Sequence, residues 1–318
     1  MEFAEEKKSY SFQDFDDIKV STKTFVVMTN MFIDLKLLFD YLPITNYTPI
    51  SKKLKKKNKF LENVLVENTE IETIAEGSII TLKFEDKIKG NICKKKVNNT
   101  KMLSKRGKWF RNSFTTVMIV EGKFLNFKVC QNGMFQITGC KNDEQPEKCM
   151  KYVWEYIKDN VDIYRLTRGD TFECIYIPAM RNIDFSLGFL VDREKFAQYM
   201  SNQTEFHSLL ETSFGYTGVN IKIPVTKDIT SMKIKKTVMF ENGEWNQSEI
   251  LYGDYLQYVS NKEQLKKINK KRYNTFLVFH SGKVIMSGLN DEFMRDVYYY
   301  FLNIIHKSHL EFQENLII

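Results

Sequence analysis

The stretch NTFLVFHSGKVIMSG, residues 274–288, decides the fold. It reads as two short apolar strands joined by a Ser281-Gly282-Lys283 turn. A weaker copy, FKVCQNGMFQITG, lies at residues 127–139. In both, a turn glycine (Gly133, Gly282) precedes a second glycine (Gly139, Gly288) by six residues. Each copy is followed by an acidic, amphipathic segment that reads as a helix, 142–161 and 290–309. A repeat on this scale implies a chain of two related halves, and that governs how each local pattern is read.

Outward from the two hairpins, the halves share an order. In the first, residues 24–30 (TFVVMTN) read as a buried strand. Residues 33–42 read as a short helix with Ile33, Leu37 and Leu38 on one face, flanked by Leu35 and Leu42, and stopped by Tyr47-Thr48-Pro49. Residues 51–76 look like an insertion, 77–84 a strand and 86–112 a basic loop. Residues 114–120, 124–131 and 134–139 form a meander. Helix 142–161 is capped by Asn142 or Asp143 and carries the stripe Cys149, Val153, Trp154 and Ile157. In the second half, 171–178 is a strand, 190–212 a helix, 217–225 and 231–240 strands, and 241–271 a polar insertion. Strand, helix, strands, helix, twice over, predicts an α+β fold. A long antiparallel sheet would carry helices on one face and leave the other open for binding.

Composition sets the bounds. Hydrophobic residues at 43% are enough for a sizeable core in 318 residues. The net charge of +7 matters less than its clustering. Residues 51–59 are lysine-dominated, no acid occurs between Lys87 and Val120, and a third cluster holds Lys266, Lys267, Lys270, Lys271 and Arg272. Such runs can neutralise phosphates, or simply face solvent. The acidic residues 1–20 read as an N-terminal arm or a lead-in helix, and not as a signal peptide or presequence. No apolar run reaches membrane-spanning length, so no membrane partner is expected. Five cysteines, an odd number without paired spacing, fit a reducing compartment.

Alternate residues of a strand share a face. One face of the 275–287 hairpin is therefore Thr275, Leu277, Phe279, Ile285 and Ser287; the other is Phe276, Val278, Val284 and Met286. Both are largely apolar, so the hairpin is either buried on both faces or packs on helices with one face and a partner with the other. In the copy, the corresponding first face is Lys128, Cys130, Gln136 and Thr138, with Asn126 nearby, while Phe127, Val129, Phe135 and Ile137 keep the core pattern.

This order and the run Leu277 to Gly288 resemble the TATA-binding protein family. Its two direct repeats form a saddle-shaped sheet with helices on the convex side. The family's Ser-Gly-Lys turn and following apolar residues match here, with Ser287 in a threonine place. Asn30-Met31 with Asp34-Leu35-Lys36, and Tyr47-Thr48-Pro49, resemble its first strand, helix start and Tyr-Asn-Pro. The resemblance implies an arm at 1–20, a first repeat with basic insertions at 21–162, and a second repeat at 163–318 with an insertion near 241–271. It implies a transcription initiation factor that binds A·T-rich double-stranded promoter DNA in the minor groove, without cofactor or metal. Partners would be general initiation factors of the B type and RNA polymerase. The compartment would be the nucleus if the protein is cellular, or a cytoplasmic replication site or the virion if a large DNA virus encodes it. The implied DNA contacts are Thr275, Leu277, Phe279, Lys283, Ile285 and Ser287, with Phe279 as a wedge between base steps. Tyr216 or Phe214 would be the other wedge of the second repeat, and Phe110 or Phe114 that of the first. Lys128, Gln136 and Thr138 would give the first repeat a polar contact face, with Cys130 in the wedge position and Thr24 in place of the family's asparagine.

Enzyme signals are weak. No Walker loop, GxGxxG, HExxH, GxSxG or CxxC occurs. His306 and His309 share a helix face with only Glu311 beside them, and His280 is expected to face solvent or phosphate. The expectation is a non-enzyme. The rival readings are a saddle module that lost DNA bending and binds protein or RNA, and a repair enzyme using the saddle as a platform.

Overall fold

The first half begins with β1 (Val20–Thr29), β2 (Met31–Ile33) and α1 (Leu35–Tyr41). It continues with β3 (Ile79–Phe84), β4 (Lys87–Gly90), β5 (Ser113–Val120), β6 (Lys123–Cys130), β7 (Met134–Cys140) and α2 (Gln145–Ile157). The second has β8 (Tyr164–Leu166), β9 (Phe172–Ser186), α3 (Arg193–Gln203), β10 (His207–Glu211) and β11 (Gly218–Pro224). Next come β12 (Lys233–Met239), β13 (Trp245–Leu251), α4 (Tyr252–Leu256) and α5 (Asn261–Ile268). It closes with β14 (Tyr273–Phe279), β15 (Lys283–Gly288) and α6 (Asp291–Ser308). This computed structural model describes residues 12–46, 74–90, 112–204, 206–211 and 218–314. Tyr47-Thr48-Pro49, the lysine-rich runs before and after β3 and β4, Phe110, Phe214 and Tyr216 lie outside the described residues.

The sheet order is β10-β11-β14-β15-β9-β1-β7-β6-β5-β3-β4. Read outward from the central β9–β1 pair, the halves give the same sequence: β1-β7-β6-β5-β3 and β9-β15-β14-β11-β10. The strands are antiparallel, and the end strands β10 and β4 do not meet, so the curved sheet stays open rather than closing into a barrel. The expected α+β saddle of two repeats is the fold observed.

Alternation explains which face the helices cover. Phe276, Val278, Val284 and Met286 are buried beneath α6 with Tyr298 and Phe301. Phe127, Val129, Phe135 and Ile137 are buried with Cys149, Val153 and Ile157 of α2 and Leu38 and Phe39 of α1. Asn290 caps α6 by accepting from the Phe293 amide at 3.2 Å. Asn142 Oδ1 serves α2 by accepting from the Glu144 and Gln145 amides at 3.1 and 2.9 Å.

Several expectations need correction. Leu37 is exposed; α1 buries Leu35, Leu38 and Phe39 instead. The helix expected over 190–212 ends at Gln203, where Thr204 turns extended, and residues 207–211 supply the outer strand of the second half. Strand 171–178 runs on to Ser186 through a register shift near Pro178. Residues 233–239 do not belong to the repeat. They pair with β13 in a hairpin that joins the edge of β9 left free beyond β15. Residues 87–90 form a strand, not loop. Among the described residues no helix is long and apolar enough to cross a membrane.

The N-terminal arm is anchored where it is described. Phe15 in a 3-10 turn is fully buried against Tyr298, with ring centroids 5.5 Å apart. The Asp16 carboxylate accepts both Arg295 Nη groups at 2.6 Å, and these bonds hold its pKa below the ordinary value. A depressed carboxyl pKa stabilises the folded state above the unfolded value of about 3.9 and ceases to do so as pH falls through the folded value. The expected result is faster proteolysis near residues 12–18 as pH falls below the unfolded carboxyl value. Arg295→Gln should show the same susceptibility at neutral pH. Equal protection of both proteins across that range would mean the pair does not hold the arm.

Candidate nucleic-acid interface

The face opposite the helices is built by residues that alternate with the core. In the second half these are Thr275, Leu277 and Phe279 of β14 and Lys283, Ile285 and Ser287 of β15. Thr275 lies opposite Ser287 and Leu277 opposite Ile285. The sequence-predicted set is therefore brought together. Leu277, Phe279 and Ile285 are half-buried and belong to none of the three buried clusters. Phe279 faces Gly218 across the β11–β14 pair. A Cβ at Gly218 would come within 2.8 Å of the Leu277 side chain, so the glycine makes room for this apolar strip. A trough of about 550 Å³ is lined by Asp184, Ser186, Phe279, Ser281, Lys283 and Ile285. Exposed Lys283 places positive charge in its wall, exposed Lys222 lies farther along the strip opposite Thr275, and exposed Asp184 opposes Ile285.

The β9 residues on this face, Asn182, Asp184 and Ser186, were missed from sequence. Their signal was the alternation of Ile183, Phe185 and Leu187, which are buried, with polar neighbours.

The first half presents a different surface. Lys128 lies opposite Gln136, and Asn126 opposite Thr138, whose hydroxyl donates to the Asn126 carbonyl at 3.0 Å. With Thr115 they line a small hollow of about 140 Å³. Cys130 holds the place that Phe279 holds in the second half, and its strand partner is Ser113 rather than glycine. Partial burial pushes its thiol pKa up, so it stays protonated at neutral pH. Phe114, expected as a wedge candidate, is a core residue packed edge-on to Phe39 and Phe84. The other wedge candidates, Phe110, Phe214 and Tyr216, are outside the described residues.

The open face is not open throughout. On β9, Cys174 and Tyr176 point to the helices, so Ile175 and Ile177 point to the other face. They are nevertheless only 1% and 9% exposed. The excursion between β11 and β14 covers them with Ile229, Met232, Ile234, Tyr252, Tyr255 and Leu256, and Val26 and Met28 of β1 pack on the same cluster. Glu173, also on this face, pairs with Arg168 at 3.3 Å and Lys236 at 2.9 Å, and Arg168 stacks 4.1 Å from the Tyr258 ring centroid. The segment expected to be a polar insertion thus carries its own apolar core, which closes the central part of the sheet face.

His280 does not point freely outward: its Nε2 is 3.4 Å from the Glu314 carboxylate and its carbonyl accepts the Val191 amide at 2.8 Å. Among the described residues no three His, Cys, Asp or Glu side chains gather as a metal site.

No family model matches the chain. It is 26% identical over 311 residues to "Uncharacterized protein 335L" of Invertebrate iridescent virus 6, covering 93% of this chain and 86% of that protein. The solved structure "Methanococcus jannaschii TBP" aligns with a TM-score of 0.43 and 12% identity, covering 91% of this chain and 98% of its own.

Proposed function

We propose that this protein is a virus-encoded transcription initiation factor that binds A·T-rich duplex DNA in the minor groove. The observation carrying this reading is the strip of Leu277, Phe279 and Ile285, left out of every core cluster on a sheet face and bordered by Lys222 and Lys283. Apolar side chains suit the minor groove, where A·T pairs offer only acceptors and no amino group stands in the way. Phe279 enters between base steps, and its packing against the unstacked bases offsets an unstacking cost of a few kcal/mol. Thr275 and Ser287 donate to base acceptors; Lys283 meets phosphate. In the first half Lys128, Gln136 and Thr138 make polar contacts. The covered centre of the face and the cysteine at position 130 confine wedging to one end, so the duplex carries one kink. The repeats span 21–162 and 163–318, and the bound complex recruits B-type initiation factors and RNA polymerase. The similarity to an iridescent-virus protein supports a viral source, and with it a cytoplasmic replication site or the virion.

A second reading is a module that binds protein or RNA without bending DNA. It is favoured by Asp184, a carboxylate beside the strip that repels phosphate, and by the covered centre. Binding to A·T-rich and G·C-rich duplexes across salt, with fluorescence transfer between the DNA ends, separates the two. The minor-groove reading expects at least about a tenfold A·T preference, roughly 1.4 kcal/mol, and a bend. Equal affinity without a bend at moderate salt selects the second reading.

A further inference from the structure

We infer that the basic end of the β11–β14 excursion, residues 266–272, is a second contact site for the phosphodiester backbone of duplex DNA. This rests on the reading that a duplex lies along the β14–β15 strip, and it extends that strip into residues the repeats do not contain.

Lys266, Lys267, Lys270, Lys271 and Arg272 fall within seven residues. Among the described residues none of them is in an ion pair. Local structure holds them together. Arg272 donates from Nη2 to the Lys267 carbonyl at 2.8 Å and from Nη1 to the Lys270 carbonyl at 3.0 Å, which folds the end of α5 into a tight turn. The Val225 amide then donates to the Arg272 carbonyl at 2.9 Å, tying this turn to the end of β11. A cavity of about 470 Å³ results, with Lys270, Lys271 and Arg272 in its wall. Its two other charged residues are already engaged. Lys227 bonds Asp296 at 2.8 Å, and the Asp228 carboxylate accepts the Thr230 amide at 2.9 Å and its hydroxyl at 2.5 Å. Burial lowers the Lys267 pKa; Glu263 pulls it back up, and Lys270, Arg272 and Lys266 each add a smaller lowering push.

Position selects duplex DNA. Arg272 immediately precedes Tyr273, which is 42% exposed and begins the alternation Tyr273, Thr275, Leu277, Phe279 on the open face. From Tyr273 to Phe279 the strand advances about 20 Å at roughly 3.3 Å per residue. The apolar strip therefore has cations at both ends, Lys283 at the hairpin turn and this cluster at the other. Groove contact in the middle with charge at the ends fits a duplex, whose bases and backbone are both presented along one axis. A lipid surface fits poorly, because α5 has eight residues and exposes only Leu265 and Ile268 as apolar anchors.

The test compares wild type with the triple variant Lys266→Gln, Lys270→Gln, Lys271→Gln, three exposed side chains, with circular dichroism to check that each variant keeps the wild-type fold. A control triple variant, Lys36→Gln, Lys195→Gln, Lys307→Gln, changes exposed lysines on helices of the other face. Affinity for A·T-rich and G·C-rich duplexes is measured against salt. The site variant should lower the slope of log affinity on log salt by about 2–3, at ~0.9 per phosphate contact, equally for both duplexes, with bending unchanged. The control should leave it unchanged. A site variant with the wild-type slope, or a control with the same loss, overturns the inference. So does a loss of binding to phosphatidylserine vesicles while the DNA slopes stay put. A reduced slope without A·T preference keeps this inference and removes the minor-groove reading. A·T preference with an unchanged slope does the reverse, and no binding to any duplex removes both.

Discussion

Gly282→Ala is expected to destabilise the protein by about 2–5 kcal/mol, and Gly133→Ala by a similar amount. Gly282 has φ +75° and a Cβ there would sit 2.1 Å from the Phe189 carbonyl oxygen; Gly133 has φ +74° and its Cβ would sit 2.3 Å from the Met31 carbonyl oxygen. The left-handed backbone costs an L-residue roughly 1–2 kcal/mol, and overpacking against a fixed backbone adds about 1–3 kcal/mol. Neither neighbour can swing aside. The Phe189 carbonyl belongs to the chain leading from β9 into α3, which the Gly282 carbonyl also secures by accepting the Leu187 amide at 2.9 Å. The Met31 carbonyl belongs to β2, which follows β1 directly. Both turns therefore do the same job: each seats its hairpin against the start of its own half. Gly122 provides the control, with φ +65° and open space around its Cβ position, so alanine there costs only about 1–2 kcal/mol. Urea unfolding of the three variants measures the differences. A Gly282→Ala loss no larger than that of Gly122→Ala would show that the turn can back away from Phe189.

This pair also shows why so much of the fold was legible. Turn chemistry and a period of two are local, and residues 127–139 and 274–288 carry both at matching positions. The register Leu277 opposite Ile285 and Lys128 opposite Gln136 follows from the turn length and the alternation alone. What escaped was non-local. Nothing near Ile175 and Ile177 says that residues 229–256 will return to cover them, because Tyr252, Tyr255 and Leu256 stand among polar residues that mask a small core. β12 read as a repeat strand and β13 as part of a polar insertion, since a strand's sequence does not name its partner. The candidate site was legible where it overlaps the hairpin; on β9 the alternation of Ile183, Phe185 and Leu187 was out of phase with that of Cys174 and Tyr176, because the bulge near Pro178 shifts the parity of inward and outward residues.

Phe279→Ala should abolish DNA bending and weaken binding to A·T-rich duplex about 5- to 150-fold, the range given by roughly 1–3 kcal/mol for an aromatic ring against a base. Stability should change by less than about 1 kcal/mol, because the ring stands outside the buried clusters and its loss leaves no enclosed cavity. The salt slope should not move, since no cation is removed. Phe276→Ala, three residues away on the same strand, is the opposite case. Its ring is fully buried and stacked on Phe301 with centroids 4.1 Å apart, so truncation costs about 3–5 kcal/mol of stability. The two phenylalanines lie on opposite faces of one strand, and the contrast between them is the sharpest test of face assignment. If Phe279→Ala unfolds the protein as readily as Phe276→Ala, the ring is structural. If folding, bending and base preference all survive, the strip is not the DNA contact, and the polar face of Lys128 and Gln136 becomes the place to look. Cys130→Phe should not create a second kink. Ser113 rather than glycine faces that position, and Lys128 and Gln136 surround it in place of Leu277 and Ile285. A wedge needs both the ring and a cleared, apolar bed, and among the described residues the hairpin at residues 274–288, with Gly218 opposite Phe279, supplies them together.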